Sequence, residues 1–236
     1  MINKNARRDP FMKKHIVCFG DSNTHGYCAE SWDCADGGSR FNEEERWTCL
    51  LQLLLGPDYL ILEEGLGGRT TVFDDPLTEG LSGLSCILPA LRSHKPVDLL
   101  ILMLGTNDTK ERFGCSAECI SQGMERLIVK ARNTECWSGE RPNILLICPP
   151  HILDGVYDGP FGGTMGTGCA EKSQALAPFY EAVARRRGCA FLDAEGVAEF
   201  NRTDCMHLTR SGHAALARKL AELVPQLVND YEKQSV

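Results

Sequence analysis

Several features that define other classes of protein are missing from this chain of 236 residues. Its longest apolar runs are strand-sized, whereas a membrane-spanning helix needs roughly 20 apolar residues. Its amino end does not combine a basic start, an apolar run and a small-residue cleavage site. The net charge is −7, which disfavours a nucleic-acid partner. We therefore expect a cytoplasmic protein with no membrane and no nucleic-acid partner.

Cysteine is the residue that is present in unusual number, with twelve copies. The Cys-x-x-Cys spacing of many metal and redox sites does not occur, and Cys115 and Cys119 are the closest pair. Cys18 and Cys148 fall inside apolar runs, where a thiol packs as a small hydrophobic group. We expect free thiols in a reducing compartment and no disulfide framework. We also expect no metal site, with a structural zinc site as the alternative.

Apolar runs alternate with helical patterns along the chain, which is typical of βαβ units and a parallel sheet. Their Val, Ile and Leu content fits strands that are covered on both faces. The five predicted strands are residues 15–20, 59–63, 99–104, 143–148 and 190–192. With 43% hydrophobic residues, the chain suits one domain at residues 15–236. A polar tail at residues 1–14 precedes it, either frayed or acting as an interface arm.

The helical patterns and the loops between them complete this outline. We predict helices over residues 46–55, after a capping Ser116, over residues 169–187 and over residues 210–231. Pro178 and Pro225 fall inside the last two and kink or divide them. The last helix has a predicted buried stripe of Ala217, Leu220, Val224, Leu227 and Tyr231. Long loops at 25–45 and 149–168 follow strands, so they form either pocket walls or surface insertions and subunit contacts.

Four short motifs lie at the ends of strands or before a helix. They are Gly20-Asp21-Ser22, Gly65-Leu66-Gly67-Gly68-Arg69, Gly105-Thr106-Asn107-Asp108 and Asp204-Cys205-Met206-His207. Open α/β sheets bind ligands at the carboxyl ends of their strands. We therefore expect these four segments to meet at one edge of the sheet.

Ser22, His207 and Asp204 supply the groups that nucleophilic catalysis needs. A serine hydroxyl is a weak nucleophile until a base takes its proton, and imidazole is the side chain best suited to that near neutrality. An aspartate three residues before the histidine can accept its Nδ1–H and fix the useful tautomer. The alternatives are that Ser22 only caps a short helix and that His207 is an ordinary loop histidine. The Gly-x-Ser-x-Thr context differs from the Gly-x-Ser-x-Gly turn of α/β-hydrolases.

Acyl transfer also needs donors at the oxygen that becomes negative in the transition state. The candidates are the backbone N–H groups of Ser22 and Gly68 and the side-chain amide of Asn107. The alternatives are a tight turn at Gly68 and a capping role for Asn107. We expect Asp21 and Asp108 to hold loops by hydrogen bonds, and Arg69 to brace its loop through Asp74 or Asp75.

These motifs together resemble those of the SGNH (GDSL-type) hydrolases, whose name lists the catalytic Ser, Gly, Asn and His. In this chain those residues would be Ser22, Gly68, Asn107 and His207, with Asp204 completing the triad. Segments 46–48, 63–71, 74–76 and 103–110 are similar to the bacterial arylesterase/acyltransferase branch. Asn23 stands where the commonest first motif has leucine, a position that is not needed for the chemistry.

The resemblance implies a flavodoxin-like three-layer α/β/α sandwich with a five-stranded parallel sheet in the order 2-1-3-4-5. It implies a serine esterase that hydrolyses short-chain acyl (acetyl or aryl) esters through an acyl-enzyme, in some members with transfer to alcohols. It implies no metal or organic cofactor, a small-molecule ester as substrate and a homo-oligomer.

Two other functions stay open beside the esterase. One is a carbohydrate O-acetyl esterase with the same triad, and the other is a non-catalytic binding module on this fold. Aromatic residues from the loops could stack on a sugar or line an acyl pocket. The predicted substrate-binding residues are Tyr27, Trp32, Phe113, Phe161 and Leu208.

Overall fold

The structure is a computed structural model that describes residues 12–234, with side chains described for residues 12–230. Most of the predicted tail, residues 1–11, lies outside the described part of the chain. Five parallel strands form one sheet in the order β2-β1-β3-β4-β5. They are β1 (Lys14–Gly20), β2 (Tyr59–Gly65), β3 (Leu99–Met103), β4 (Ile144–Cys148) and β5 (Ala190–Asp193). The five predicted strands and their order are confirmed.

The helices cover both faces of the sheet. They are α1 (Ser22–His25), α2 (Trp47–Leu55), α3 (Gly83–Ser93), α4 (Ala117–Arg132), α5 (Gly162–Met165), α6 (Cys169–Gln174), α7 (Leu176–Arg187) and α8 (Arg210–Gln234). One apolar core lies between the sheet and α2 with α8, and a second lies between the sheet and α3, α4 and α7. Alternate residues of β1 serve the two cores, since Ile16 belongs to the first and Val17 to the second. The three-layer α/β/α sandwich is therefore confirmed.

The predicted helices agree with the structure except in detail. Ser116 caps α4 by accepting a hydrogen bond from the backbone N of Cys119 at 3.2 Å. The predicted helix at 169–187 is divided at Ala175, and Pro178 lies in the first turn of α7, where its missing N–H is tolerated. Helix α3 was not predicted, because its Gly83 and Pro89 weaken the helical pattern.

The last helix continues through Pro225. The predicted stripe is buried at Ala217, Leu220 and Val224, while Leu227 is partly buried against the same core. The side chain of Tyr231 lies outside the described residues. The stripe packs α8 against α2 and the sheet, so it fixes the position of the loop that precedes α8.

The structure also bears on disulfides, membrane spans and metal sites. All twelve cysteines are free thiols. Across residues 12–234, no helix has the length and apolar character to cross a membrane. The same part of the chain contains no group of three His, Cys, Asp or Glu side chains placed to hold a metal ion.

The register of the central strands brings their carboxyl ends to one level. Gly20 of β1 pairs with Gly65 of β2 on one side and with Met103 of β3 on the other. The chain leaves all three strands at this edge and enters the segments that carry Ser22, Gly68 and Asn107. The loop after β4 is also ordered there, since it contains a 3₁₀ turn at Asp154–Asp158 and helix α5.

Candidate active site

Ser22 is the first residue of α1, immediately after the strand that ends at Gly20. A side chain on Gly20 would collide with Thr24, so glycine allows α1 to fold back tightly on the end of β1. Asp21 caps this short helix, because its Oδ1 accepts a hydrogen bond from the backbone N of Asn23 at 2.9 Å. The capping role therefore belongs to Asp21, and the hydroxyl of Ser22 points toward the loop before α8.

A continuous chain of hydrogen bonds runs from Ser22 through His207 to Asp204. Ser22 Oγ lies 2.7 Å from His207 Nε2, and His207 Nδ1 lies 2.8 Å from Asp204 Oδ2. The three residues are 7%, 4% and 1% exposed, respectively. Since a carboxylate can only accept, the proton on the imidazole is at Nδ1, and Nε2 is free to accept from the serine hydroxyl. This is the arrangement that a general base requires.

Asp204 is surrounded by donors. Its Oδ1 accepts hydrogen bonds from Asn201 Nδ2 at 2.8 Å and from the backbone N groups of Met206 and His207, each at 3.1 Å. Burial by itself would raise the pKa of Asp204, but the hydrogen bonds from His207, Met206 and Asn201 hold the pKa below its ordinary value. Asp204 therefore stays ionised and can stabilise a protonated imidazole.

Asn23 joins the two segments that carry the serine and the histidine. Its Nδ2 donates to the backbone O of Met206 at 3.1 Å, and its Oδ1 accepts from the backbone N of Leu208 at 2.9 Å. These two hydrogen bonds hold the chain on both sides of His207 against the start of α1. The side-chain amide thus fixes the separation between the Ser22 hydroxyl and the imidazole.

The candidate oxyanion donors lie around one cavity. Gly68 has φ +83°, a conformation that side chains rarely adopt, so glycine is required at this turn. Asn107 Nδ2 donates to the backbone O of Arg69 at 3.2 Å, which ties the third motif to the second. Asp108 adds a second tie, because its carboxylate accepts from the backbone N of Thr71 at 2.9 Å. As predicted, Asp108 holds a loop by hydrogen bonds.

The predicted role of Arg69 needs correction. Arg69 Nη1 donates to the backbone O of Gly20 at 2.9 Å, so it braces its loop against the end of β1. It pairs with neither Asp74 nor Asp75. Asp75 instead forms an ion pair with Arg112 at 3.3 Å. Arg69 therefore donates to backbone carbonyls at the ends of strands instead of to the expected carboxylate.

A cavity of about 220 Å³ opens beside the serine hydroxyl. Ser22, His207, Gly68 and Asn107 all line it. The rest of its wall is mostly apolar and includes Tyr27, Phe161, Met165 and Met206, with one charged residue, Lys110. A small apolar space with a few convergent polar groups is typical of a small-molecule site.

Two of the predicted substrate-binding residues are placed at this cavity. The ring centroid of Tyr27 lies 4.4 Å from that of His207, and the Phe161 centroid lies 5.8 Å from it. The two aromatic rings contact each other edge to face at 6.1 Å. Together they form a wall on the histidine side of the site.

The other three predicted substrate-binding residues do not line the cavity. Trp32 is 78% exposed on the outside of its loop. Phe113 stacks on Phe73 at 5.4 Å and packs against the core beneath α3 and α4. Leu208 is 1% exposed and belongs to the other core. Apolar packing directs the side chains of Phe113 and Leu208 into the cores, and Trp32 faces solvent.

A larger groove of about 560 Å³ lies elsewhere, between the end of β5 and α8. Its charged residues are Glu195, Glu199, Arg202 and Arg218, and His151 also lines it. None of the described residues that line it belongs to the predicted triad or oxyanion hole. We therefore place the site in the smaller cavity, where the reactive groups converge.

Sequence reasoning missed three residues of the site region, Asn23, Asn201 and Lys110. Asn23 acts on a segment more than 180 residues away, so no local pattern indicates it. Asn201 lies only three residues before Asp204, but it belongs to none of the four motifs. Lys110 had a visible signal, because it ends segment 103–110, which resembles the arylesterase branch, and lies three residues after Asn107.

The fold and the four converging segments define an SGNH hydrolase. The chain belongs to the GDSL-like lipase/acylhydrolase family, whose sequence model matches residues 18–215. As a member of that family it is a carboxylic ester hydrolase.

Solved structures agree with this assignment. The chain is 36% identical to the native aryl esterase of M. smegmatis, with a TM-score of 0.81 over 91% of this chain and 99% of that one. It is 34% identical to a carbohydrate acetylesterase family member from Sinorhizobium meliloti, with a TM-score of 0.80 over 92% and 99% of the two chains. A member of the lipolytic protein G-D-S-L family from Veillonella parvula DSM 2008, 15% identical, shares the fold, with a TM-score of 0.62 over 90% and 99%. No curated protein matches the chain.

Proposed function

We propose that this protein is a serine esterase that cleaves short-chain acyl esters, such as acetyl and aryl esters, through an acyl-enzyme. Ser22 is the nucleophile, His207 the general base and Asp204 the group that orients the imidazole. The observation that carries the proposal is the hydrogen-bonded chain from Asp204 to Ser22, which ends at the wall of a small cavity.

The first half of the reaction forms the acyl-enzyme. Ser22 Oγ attacks the ester carbonyl carbon while its proton passes to His207 Nε2. The resulting tetrahedral intermediate collapses by breaking the bond to the alcohol oxygen, which leaves with the proton from His207. Asp204 stabilises the imidazolium throughout, because the pKa of its carboxyl is held low and it remains an anion.

The second half releases the acyl group. A water molecule attacks the acyl carbonyl, His207 takes one of its protons, and collapse returns that proton to Ser22 as the acid departs. A second alcohol in place of water would give a new ester, which is the transfer reaction. The N–H groups of Ser22 and Gly68 and the Asn107 amide face the oxygen anion in both halves, and each such donor typically contributes about 10²–10³ in rate.

The cavity supports short acyl groups. Its volume of about 220 Å³ is below the roughly 300–1,000 Å³ of pockets for drug-sized ligands. Tyr27, Phe161 and Met165 offer an apolar lining for a small acyl or aryl group. Among para-nitrophenyl esters from acetyl to octanoyl, we therefore expect kcat/KM to be highest for the shortest chains.

The proposal is tested by trapping the nucleophile. With para-nitrophenyl acetate the enzyme should release a burst of nitrophenol, and a fluorophosphonate should label Ser22 by peptide mass spectrometry. Ser22→Ala should lower kcat by about 10⁴–10⁶-fold while the protein stays folded. Labelling at another residue, or an alanine variant that keeps most of its activity, would contradict the assignment. The absence of both the burst and the label would favour the non-catalytic binding module.

A carbohydrate O-acetyl esterase is the second candidate function. The paired rings of Tyr27 and Phe161 beside His207 favour it, because aromatic faces pack against sugar rings. The similarity to the Sinorhizobium meliloti acetylesterase family member supports it as well. Comparing acetate release from an acetylated sugar with release from phenyl acetate separates the two. Assembly of the domain at 15–236 into a homo-oligomer and its location in the cytoplasm stay predictions, which light scattering and cell fractionation test.

A further inference from the structure

Lys110 is a buried cation in the wall of the site. Its side chain is 7% exposed, and it lines the cavity together with Ser22 and His207. It follows the turn at Asn107–Thr109, so it approaches the cavity from the same segment as the Asn107 amide. The proposed two-step reaction gives this ammonium group no task.

The ammonium group of Lys110 lacks a hydrogen-bond acceptor among the described residues. Its ion pair with Asp75 Oδ2 is long, at 3.7 Å. The same carboxylate is shared with Arg112 at 3.3 Å and accepts the backbone N of Leu77 at 2.9 Å. Two cations therefore share the carboxylate of Asp75, and Lys110 is the charged one among the residues that line the cavity.

The charges around Lys110 act in opposite directions. Burial and the neighbouring Arg112 lower the pKa of the amine, while the carboxylates of Asp75, Asp108 and Asp21 raise it. The side chain is thus mostly buried, while its ammonium group lines the cavity with a single long ion pair. A ligand oxygen in the cavity could accept the hydrogen bond that Asp75 does not.

This geometry points to a specificity role for Lys110: it selects esters that carry a carboxylate close to the ester group. An ammonium group in the lining favours an anion over a neutral acceptor, because a hydrogen bond to a charged acceptor is the stronger one. The rest of the lining is mostly apolar, so one charged contact would fix how the substrate lies in the cavity. The inference rests on the proposed esterase function and adds the class of substrate.

The test uses pairs of esters that differ only in a carboxylate and its neutral carboxamide. Para-acetoxybenzoate and para-acetoxybenzamide place the group on the alcohol side, while the phenyl monoesters of succinate and succinamate place it on the acyl side. The wild-type enzyme should prefer the carboxylate in at least one pair. Lys110→Met, which keeps the length of the side chain but not its charge, should reduce that preference roughly 10- to 100-fold in kcat/KM.

Lys219→Met is the matched control, since Lys219 lies on α8 and pairs with Glu222 at 3.2 Å, away from the cavity. It should leave the preference unchanged. A wild-type enzyme that cleaves both carboxamides faster than both carboxylates would overturn the role of Lys110, even if Lys110→Met failed to fold. An unchanged preference in folded Lys110→Met would overturn it too. In both cases the esterase proposal stands, because it is tested separately by cleavage of para-nitrophenyl acetate, by labelling of Ser22 and by the Ser22→Ala variant.

Discussion

The turn after β1 and the loop before α8 each bury one aspartate beside the candidate nucleophile, and the pKa values of the two carboxyl groups shift in opposite directions. Asp21 and Asp204 are both 1% exposed. Asp204 accepts from His207, Asn201 and two backbone N–H groups. Asp21 accepts at Oδ1 from Asn23, and its buried Oδ2 has no hydrogen-bond partner among the described residues.

The difference shows that the number of donors, rather than burial, decides the direction in which each carboxyl pKa moves. Burial raises the pKa of Asp21 to about 6, even though one backbone hydrogen bond and the nearby His207 and Arg69 lower it. At Asp204 the donors outweigh the same penalty, and the pKa falls below its ordinary value. Of the two, Asp204 therefore combines a lowered pKa with the hydrogen bond to the imidazole that a triad acid needs.

Among the tests of this comparison, replacing Asp204 by asparagine should have the largest effect on kcat. An amide in place of the carboxylate no longer fixes the proton at His207 Nδ1, so Nε2 is not kept free for the serine proton. We expect kcat for phenyl acetate to fall by about 10⁴-fold with little change in KM.

The matched control is the same substitution at the other carboxylate, Asp21→Asn, measured with the same substrate. It should lower kcat by less than roughly tenfold, because Asp21 does not contact the imidazole. If the two variants lost activity equally, the distinction between the two carboxylates would be wrong.

Breaking the link between the two segments should give the next largest effect. Asn23→Leu restores the residue of the commonest family motif but removes the hydrogen bonds to Met206 and Leu208. We expect kcat to fall roughly 10- to 100-fold, because small misplacements of catalytic groups are costly.

If Asn23 acts by positioning His207, the cost of Asn23→Leu should depend on whether the triad is intact. In an Asp204→Asn background the same substitution should cost much less, because the histidine that Asn23 positions is already impaired. Equal costs in both backgrounds would mean that Asn23 only stabilises the fold, which urea unfolding of each variant measures directly.

Asn23 also shows what the sequence could and could not reveal. The strands, the sheet order and the four motifs were predictable, because apolar periodicity and strand-end turns are local signals. Asn23 looked irrelevant to chemistry, since its two partners lie more than 180 residues away in the chain. The triad's hydrogen-bonded geometry could be expected from the motifs, while its catalytic role stays a prediction.

The substrate-binding residues were harder to predict for a related reason. Tyr27 and Phe161 line the cavity, but Phe113 and Leu208 pack into the cores and Trp32 is exposed. An aromatic residue in a loop near a motif has no sequence signal for the direction of its side chain, which depends on packing. The charge of Lys110 did not indicate either that its side chain lines the cavity, and Lys110 was not predicted as a site residue.

The smallest expected effect is the pH dependence of stability that Asp21 contributes. Its pKa in the folded protein, about 6, is above the ordinary value of 3.8. The protonated form is therefore favoured by folding, so this contribution is full below about pH 4 and is lost as the pH rises through about 6. The loss should be roughly 1–3 kcal/mol of the free energy of unfolding, from about 1.4 kcal/mol for each pKa unit.

Asp21→Asn removes this titration and isolates it from other groups. Burial also raises the pKa of Asp108 to about 6, so Asp108 adds a loss of stability with rising pH to both proteins. Asp204, whose pKa is lowered, adds a change of opposite sign to both. Between pH 4 and pH 7, the free energy of unfolding measured in urea should therefore fall more for the wild type than for Asp21→Asn. Asp58→Asn, at an exposed position, should show no such shift. A difference that stayed constant with pH would mean that Asp21 is already ionised in the folded protein, and the contrast with Asp204 would then rest on hydrogen bonding alone.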